Sequence, residues 1–198
     1  MEIQKATPND VESIVKIHTD AFNGFFLTSL GPKFLTFYYT CFVKSDETVT
    51  MVAVEDGIVY GFSAATKVCK GFNSRLIRRN FFAFCVLSLK MFFTTPKALL
   101  RLAKNLTKKS ESVEDDENYA ELYSIGVSRD AQGKGIGKML LAASEESLKR
   151  EGVKRVSLTT DYENNEKTLG FYHSMGYDTL YEFVTYPDRK MYRLIKTL

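Results

Sequence analysis

The stretch from Gln132 to Leu140, QGKGIGKML, places three glycines at alternate positions directly before an apolar helical pattern. A glycine lets the backbone come close to a ligand, and the first turn of a helix presents unpaired N–H groups and a partial positive charge. An anion, most often a phosphate, satisfies both features. We therefore interpret this stretch as a phosphate-binding loop.

Spacing distinguishes the kinds of phosphate loop. A Walker loop, G-x-x-x-x-G-K-[S/T], requires a glycine where the chain has Gln132 and a hydroxyl where it has Met139, so this interpretation fails. A dinucleotide loop, G-x-G-x-x-G, requires a glycine where the chain has Lys138. Asp161, however, ends the next predicted strand, where a ribose-binding acid would lie. The dinucleotide alternative therefore stays open.

A third pattern, Q/R-x-x-G-x-G/A, fits 132–137 at every position and is the pyrophosphate loop of the GNAT N-acetyltransferase superfamily. Residues 120–130, AELYSIGVSRD, resemble the fourth strand of that family. Residues 165–177 resemble its N-x-x-A-x-x-F-Y-x-x-x-G-F element, with Thr168 in place of the usual alanine and Tyr177 in place of the last phenylalanine. The three segments occur in the family's order, so the chain resembles an acetyl-CoA-dependent GNAT N-acetyltransferase.

The resemblance implies that acetyl-CoA is the cosubstrate and that no metal is required. Backbone amides of the glycine loop would hold the pyrophosphate, while the fourth strand would pair with the pantetheine arm as with an added strand. An asparagine before the next helix would hydrogen-bond the same arm, and Gly126 suits a bulge that opens the sheet. The implied binding residues are Ile125, Gly126, Val127, Gln132, Gly133, Lys134, Gly135, Ile136, Gly137, Lys138 and Asn165.

The resemblance also implies direct transfer from the thioester to an amine in a ternary complex, without a covalent enzyme intermediate. Tyr172 matches the residue that usually protonates the leaving CoA thiolate. Glu121 matches the glutamate that some family members use as general base. The alternatives are that Tyr172 is a packing aromatic and that Glu121 is a surface residue of its strand.

These motifs need strands and helices to position them, and hydrophobic periodicity predicts both. A helix opens after the cap at Thr7, and its apolar face includes His18, which we interpret as a core histidine rather than a catalytic one. The other predicted elements are a strand at 1–6, two helices at 21–43 broken at Gly31–Pro32, a strand hairpin at 48–68, a strand at 119–127, a helix that stops at Gly152, a strand at 155–161, a helix at 164–177 and a closing hairpin through Pro187–Asp188.

The resemblance implies an α/β fold of the GNAT type, with a mixed, largely antiparallel central sheet flanked by helices. We expect a single domain over residues 1–198. The family's short turn between the third and fourth strands is replaced here by an atypical basic and aromatic helical insertion at about 70–118. This insertion lies outside the resemblance.

Charge is concentrated in that insertion. Residues 57–110 contain eleven Lys and Arg and no Asp or Glu, so the rest of the chain is net acidic although the whole chain carries +3. A helix predicted to begin at Pro96 presents four of these cations on one face: Lys97, Arg101, Lys104 and Lys108. The segment favours an anionic acceptor or peripheral contact with an anionic membrane through 75–109. The alternative is a helical hairpin that packs on the sheet or forms a homodimer contact.

We therefore predict an N-acetyltransferase that acts on a small-molecule amine, with a nucleotide-linked amino sugar or another anionic molecule as the favoured class. A catalytically silent acetyl-CoA-binding module that docks a partner or membrane is the alternative. No nucleic-acid motif accompanies the basic stripe, so no nucleic-acid partner is expected. The start of the chain is polar and the apolar run Phe81–Phe93 is shorter than the ~20 residues of a membrane span, so we expect a cytoplasmic protein.

Overall fold

The computed structural model describes residues 1–94, 115–185 and 188–198. In chain order its helices and strands are β1 (Glu2–Lys5), α1 (Val11–Ala21), α2 (Phe26–Ser29), α3 (Pro32–Lys44), β2 (Thr48–Glu55), β3 (Ile58–Thr66), α4 (Phe72–Arg79), α5 (Phe81–Thr94), β4 (Ala120–Val127), α6 (Ile136–Arg150), β5 (Arg155–Asp161), α7 (Glu166–Ser174), β6 (Asp178–Thr185) and β7 (Arg189–Thr197). The basic helix predicted from Pro96 and the turn at Pro187 lie outside the described residues.

Seven strands form one sheet in the order β1-β2-β3-β4-β5-β7-β6. Every neighbouring pair is antiparallel except β4 and β5, which run parallel. The predicted mixed, largely antiparallel sheet is therefore confirmed. Helices α4 and α5 lie between β3 and β4, so the insertion begins with two helices, as the predicted helical character requires.

The sheet splits between its two parallel strands. Pairing of β4 with β5 runs only from Ala120 opposite Val156 to Leu122 opposite Leu158. Strand β4 nevertheless stays paired with β3 as far as Val127. Within the described residues, the second half of β4 therefore has no partner strand on its β5 side.

The prediction of a bulge at Gly126 is wrong. The register shift lies between Ala64 and Ala65, where Tyr123 is the additional residue of β4, and such a residue bends a strand. Gly126 pairs in regular register with Phe62. A Cβ at Gly126 would lie 3.1 Å from the Phe62 ring and 3.4 Å from Ile17, so the glycine permits close packing in regular register.

Helices cover both faces of the sheet. On one face α1 and α3 pack an aromatic core that includes Tyr39, Phe42 and Phe62. His18 is buried in this layer, as its position on the apolar face of α1 predicts. On the other face α6 and α7 cover a second core. Within the described residues, no helix combines the length and apolarity needed to cross a bilayer.

The insertion is fixed to the α1 and α3 face at its start. Phe72 is buried between the rings of Phe42 and Tyr123, at centroid distances of 5.3 and 5.6 Å. Phe84 of α5 meets Phe37 of α3 edge to face at 4.9 Å. The first two helices of the insertion therefore lie on the same side of the sheet as α1.

Candidate active site

The split between β4 and β5 opens into a cleft of about 1010 Å³. Ser124 lies opposite Ala64, whose side chain belongs to the α1 and α3 core, whereas Ile125 packs in the core under α6. Both residues line the cleft. The cleft therefore reaches both faces of the sheet, and two reactants can enter it from opposite sides.

The glycine loop forms one end of the cleft. Gly133 and Gly135 have φ values of +77° and +79°, a left-handed conformation that favours glycine, and Gly135 directly precedes α6. A Cβ at either glycine would meet no atom of the described residues within 4 Å, so these residues leave the backbone uncovered there. The side chain of Gln132 donates to the Val127 carbonyl at 3.3 Å and ties the loop to β4. Uncovered N–H groups at a helix start suit a pyrophosphate.

The structure brings most of the predicted cofactor-binding residues to this cleft. Those that line it are Ile125, Gly126, Val127, Gln132, Gly133, Gly137 and Asn165. Lys134, Gly135, Ile136 and Lys138 are not among the lining residues. The Ile136 side chain is buried beside Leu140, so only its backbone is available to a ligand. The Asn165 amide donates to Thr160 Oγ1 and to the Asp161 carbonyl, each at 2.7 Å, which fixes its orientation.

Tyr172 lies on α7, lines the cleft and is 7% exposed. Its ring packs against Phe171 at 5.0 Å and Tyr177 at 5.6 Å. Burial raises the pKa of the Tyr172 hydroxyl above its ordinary value, so the group stays protonated not only at neutral pH but also in basic solution. A buried, neutral hydroxyl at this place can donate a hydrogen bond to a ligand atom.

Glu121 is not among the residues that line the cleft. Its carboxylate pairs with Arg193 at 3.0 Å, and both side chains are less than 15% exposed. The Cys69 thiol donates to its other oxygen at 3.0 Å. Tyr123 does line the cleft, and burial together with the neighbouring Glu121 raises the pKa of its hydroxyl. Tyr123 therefore lines the cleft and lies near Glu121.

Sequence reasoning missed an ion pair at the cleft. Asp161 accepts hydrogen bonds from Arg189, whose Nη2 lies 2.6 Å from Oδ2, and both residues line the cleft. The Arg189 guanidinium also lies 4.7 Å from the Phe25 ring centroid, which links the loop after α1 to β7. From the sequence, Asp161 was considered only as a ribose-binding acid. Its ion pair with Arg189 could not be predicted from the spacing of the two residues.

A sheet that splits beside a glycine loop at a helix start is the architecture of the GNAT class, and it differs from the parallel sheet of a dinucleotide-binding fold. The profile of the Acetyltransferase (GNAT) family matches residues 11–177. The chain belongs to this family.

Curated relatives match only part of the chain. A mycothiol acetyltransferase of Kocuria rhizophila is 32% identical over 80 residues, which are 40% of this chain and 26% of that protein. The enzyme of the same name from Renibacterium salmoninarum is 34% identical over 68 residues, 32% of this chain and 20% of that protein. The matches thus span about a quarter or less of these relatives.

Solved structures share the fold over nearly the whole chain. The ribosomal-protein-alanine N-acetyltransferase from Brucella melitensis has a TM-score of 0.64 at 15% identity and is covered completely, as is this chain. The PaiA N-acetyltransferase from Thermoplasma acidophilum, in complex with coenzyme A, has a TM-score of 0.59 at 14% identity, with 100% of this chain and 98% of that chain covered. At these identities the likeness establishes the fold alone.

Proposed function

We propose that the protein transfers an acetyl group from acetyl-CoA to an amine by direct attack in a ternary complex. The observation that carries this proposal is the cleft through the sheet, open to both faces and bordered by the glycine loop. The acetyl donor enters from the α6 and α7 face, and the amine enters from the α1 face. Holding both reactants in one cleft replaces a bimolecular encounter with an oriented one.

The chain offers two kinds of contact to acetyl-CoA. Backbone N–H groups of 133–138 face the pyrophosphate at the positive end of α6. The unpaired half of β4, Ile125 to Val127, accepts the pantetheine arm as a further strand. Asn165, already oriented by Thr160, hydrogen-bonds that arm. Acetyl-CoA itself supplies the activated thioester.

Two proton movements complete the transfer. The amine nitrogen attacks the carbonyl carbon, the C–S bond breaks, and the amine loses one proton. Tyr172 donates its hydroxyl hydrogen to the sulfur as negative charge develops there. We keep Glu121 as the proposed base, with Tyr123 between it and the cleft. The acceptor is a small-molecule amine, for which an amino sugar or another anionic molecule is the favoured class.

Thiol release from acetyl-CoA tests this proposal across nucleotide amino sugars, polyamines, aminoglycosides, amino acids and short peptides. One class of amine should release thiol well above hydrolysis, and Tyr172→Phe should lower kcat about 10²-fold or more. Glu121→Gln should shift the pH–rate profile. Binding of acetyl-CoA without thiol release for any amine would favour the alternative, a catalytically silent module. An unchanged turnover of Tyr172→Phe would contradict the role of Tyr172.

A further inference from the structure

One nitrogen at the acceptor side of the cleft has no partner. His18 is 3% exposed, and its Nε2 is a buried polar atom without a hydrogen-bond partner in the part of the chain that the structure describes. Three other buried side-chain atoms there share this state, on Thr50, Ser128 and Arg193, but His18 alone among these residues lines the cleft. A buried polar group left unpaired costs about 1–3 kcal/mol, so a ligand group that completes it is favoured.

The rest of the imidazole is held firmly. Nδ1 lies 2.7 Å from the Tyr39 hydroxyl, a buried hydrogen bond between α1 and α3. Ser124, which lines the cleft on β4, lies near the same hydroxyl and lowers its pKa against the larger effect of burial. The Phe22 ring packs 4.7 Å from the imidazole, and Phe22 also lines the cleft. Because Nδ1 is hydrogen-bonded to Tyr39, Nε2 is the imidazole nitrogen left to pair with a ligand.

We propose that His18 binds the acceptor, with its Nε2 accepting a hydrogen bond from an N–H of the amine that is acetylated. This inference rests on the proposed function and assigns the acceptor contact within it. The lone pair of the amine must point at the carbonyl carbon, so the amine has N–H donors to place and needs an acceptor atom. A neutral imidazole that donates from Nδ1 to Tyr39 leaves a lone pair on Nε2 for this purpose.

Charge in the surroundings agrees with this role. Burial lowers the pKa of His18 to about 4, so the imidazole is neutral and its lone pair is available over the neutral range. The Tyr39 hydroxyl is protonated over the same range, and burial raises its pKa further. The contact therefore selects a group that donates a hydrogen bond and disfavours an anionic group at this point. An anionic part of the acceptor must lie elsewhere, for instance near Arg189.

Imidazole ¹⁵N spectra test the inference without turnover. The chain has two histidines, so a His173→Gln variant leaves His18 as the sole imidazole. We expect a neutral ring protonated at Nδ1, whose Nε2 signal moves when the CoA-bound protein is titrated with methylamine. A ring protonated at Nε2 would overturn the proposal, because such a nitrogen cannot accept. An Nε2 signal that methylamine leaves unmoved would also contradict it.

Kinetics with the best amine of the thiol-release panel give a second test. His18→Asn keeps a polar group near the Nδ1 position but removes Nε2, and should raise KM for the amine about 10- to 100-fold, the loss of one buried hydrogen bond. KM for acetyl-CoA should stay within about twofold. His18→Gln, whose carboxamide reaches the Nε2 position, should recover part of the loss. Equal KM values for wild type and His18→Asn would overturn the proposal.

The two proposals fail separately. A wild-type protein that binds acetyl-CoA and releases no thiol contradicts the proposed function, while the spectra still decide the state of His18. A purely structural role for His18 predicts that both KM values and the melting temperature of His18→Asn change together. His173→Asn is the matched control, because His173 is exposed on α7 and does not line the cleft.

Discussion

Burial shifts the pKa values of two cleft side chains in opposite directions, and in both cases it favours the uncharged form. Desolvation lowers the pKa of His18 to about 4 and raises that of Tyr172. His18 is thereby limited to a hydrogen-bonding role at neutral pH, and Tyr172 keeps its proton until negative charge appears beside it. The two residues lie on different faces of the split sheet, so in the proposed transfer the amine and the departing sulfur meet different partners.

The His18 shift makes stability depend on pH. The unfolded chain takes up a proton near pH 6.5, whereas folded His18 does so only near pH 4. The free energy of unfolding should therefore fall as the pH drops from about 6.5 to 4, by up to roughly 3 kcal/mol from this residue. Urea unfolding at pH 7 and pH 4.5 measures the effect.

Matched variants separate His18 from the carboxylates that titrate in the same range. His18→Phe should show a smaller loss between the two pH values, although it starts less stable because the hydrogen bond to Tyr39 is gone. The free energy of unfolding of His173→Gln should fall between the two pH values by as much as that of the wild type. If the free energy of unfolding falls equally in His18→Phe and the wild type, the pKa of His18 is not lowered by burial, and the prediction is wrong.

Among the elements, the glycine loop offers a contrast between two neighbouring glycines. Gly135 has a φ of +79°, so Gly135→Ala should cost about 1–2 kcal/mol and weaken acetyl-CoA binding as the loop moves. Gly137 lies inside α6 without a positive φ, and a Cβ there would meet Phe171 at an ordinary 3.8 Å. Gly137→Ala should therefore stabilise the protein by about 0.5 kcal/mol.

Thermal unfolding and acetyl-CoA titration of the two alanine variants check this contrast. Gly137→Ala should bind acetyl-CoA within a few-fold of the wild type. If Gly135→Ala were as stable and bound as tightly as Gly137→Ala, the left-handed conformation at Gly135 would not matter to the loop.

Local patterns predicted the elements well, because strand periodicity, helix caps and glycine spacing act over a few residues. The helix start at Gly135, the break at Gly31 and the strand before the loop are all of this kind. Two features depended on distant partners and could not be predicted. The bulge at Tyr123 follows from register with β3, and the pairing of Glu121 with Arg193 joins residues 72 apart in sequence.

His18 shows the same limit at the candidate site. Its position on an apolar helix face indicated a core residue, and it is indeed buried. The sequence did not predict that His18 also lines a cleft. The cleft exists because β4 separates from β5, and this separation places the buried face of α1 beside it. A single histidine thus packs in a core and lines a cleft.

At the scale of the whole molecule, the insertion lies on the α1 and α3 face of the split sheet, the face from which the proposed reaction admits the amine. Phe72 and Phe84 fix α4 and α5 against that layer. The opposite side of α5 exposes three apolar side chains at helical spacing, Phe82, Val86 and Leu89, with Phe82 84% exposed. Large apolar groups beside a segment with eleven cations and no acid are typical of contact with an anionic membrane surface.

We expect the protein to sediment with vesicles that contain phosphatidylserine at low salt, and much less with vesicles of phosphatidylcholine alone. Attraction between lysines or arginines and anionic lipid is screened within about 10 Å at 0.1 M salt, so added salt should release the protein. Phe82→Ser should weaken the binding because an apolar anchor is lost. Leu180→Ser, at an exposed leucine of β6, is the matched control and should bind as the wild type does. Failure to sediment with anionic vesicles at low salt would exclude the membrane contact and leave packing or dimer formation as the role of the exposed stripe.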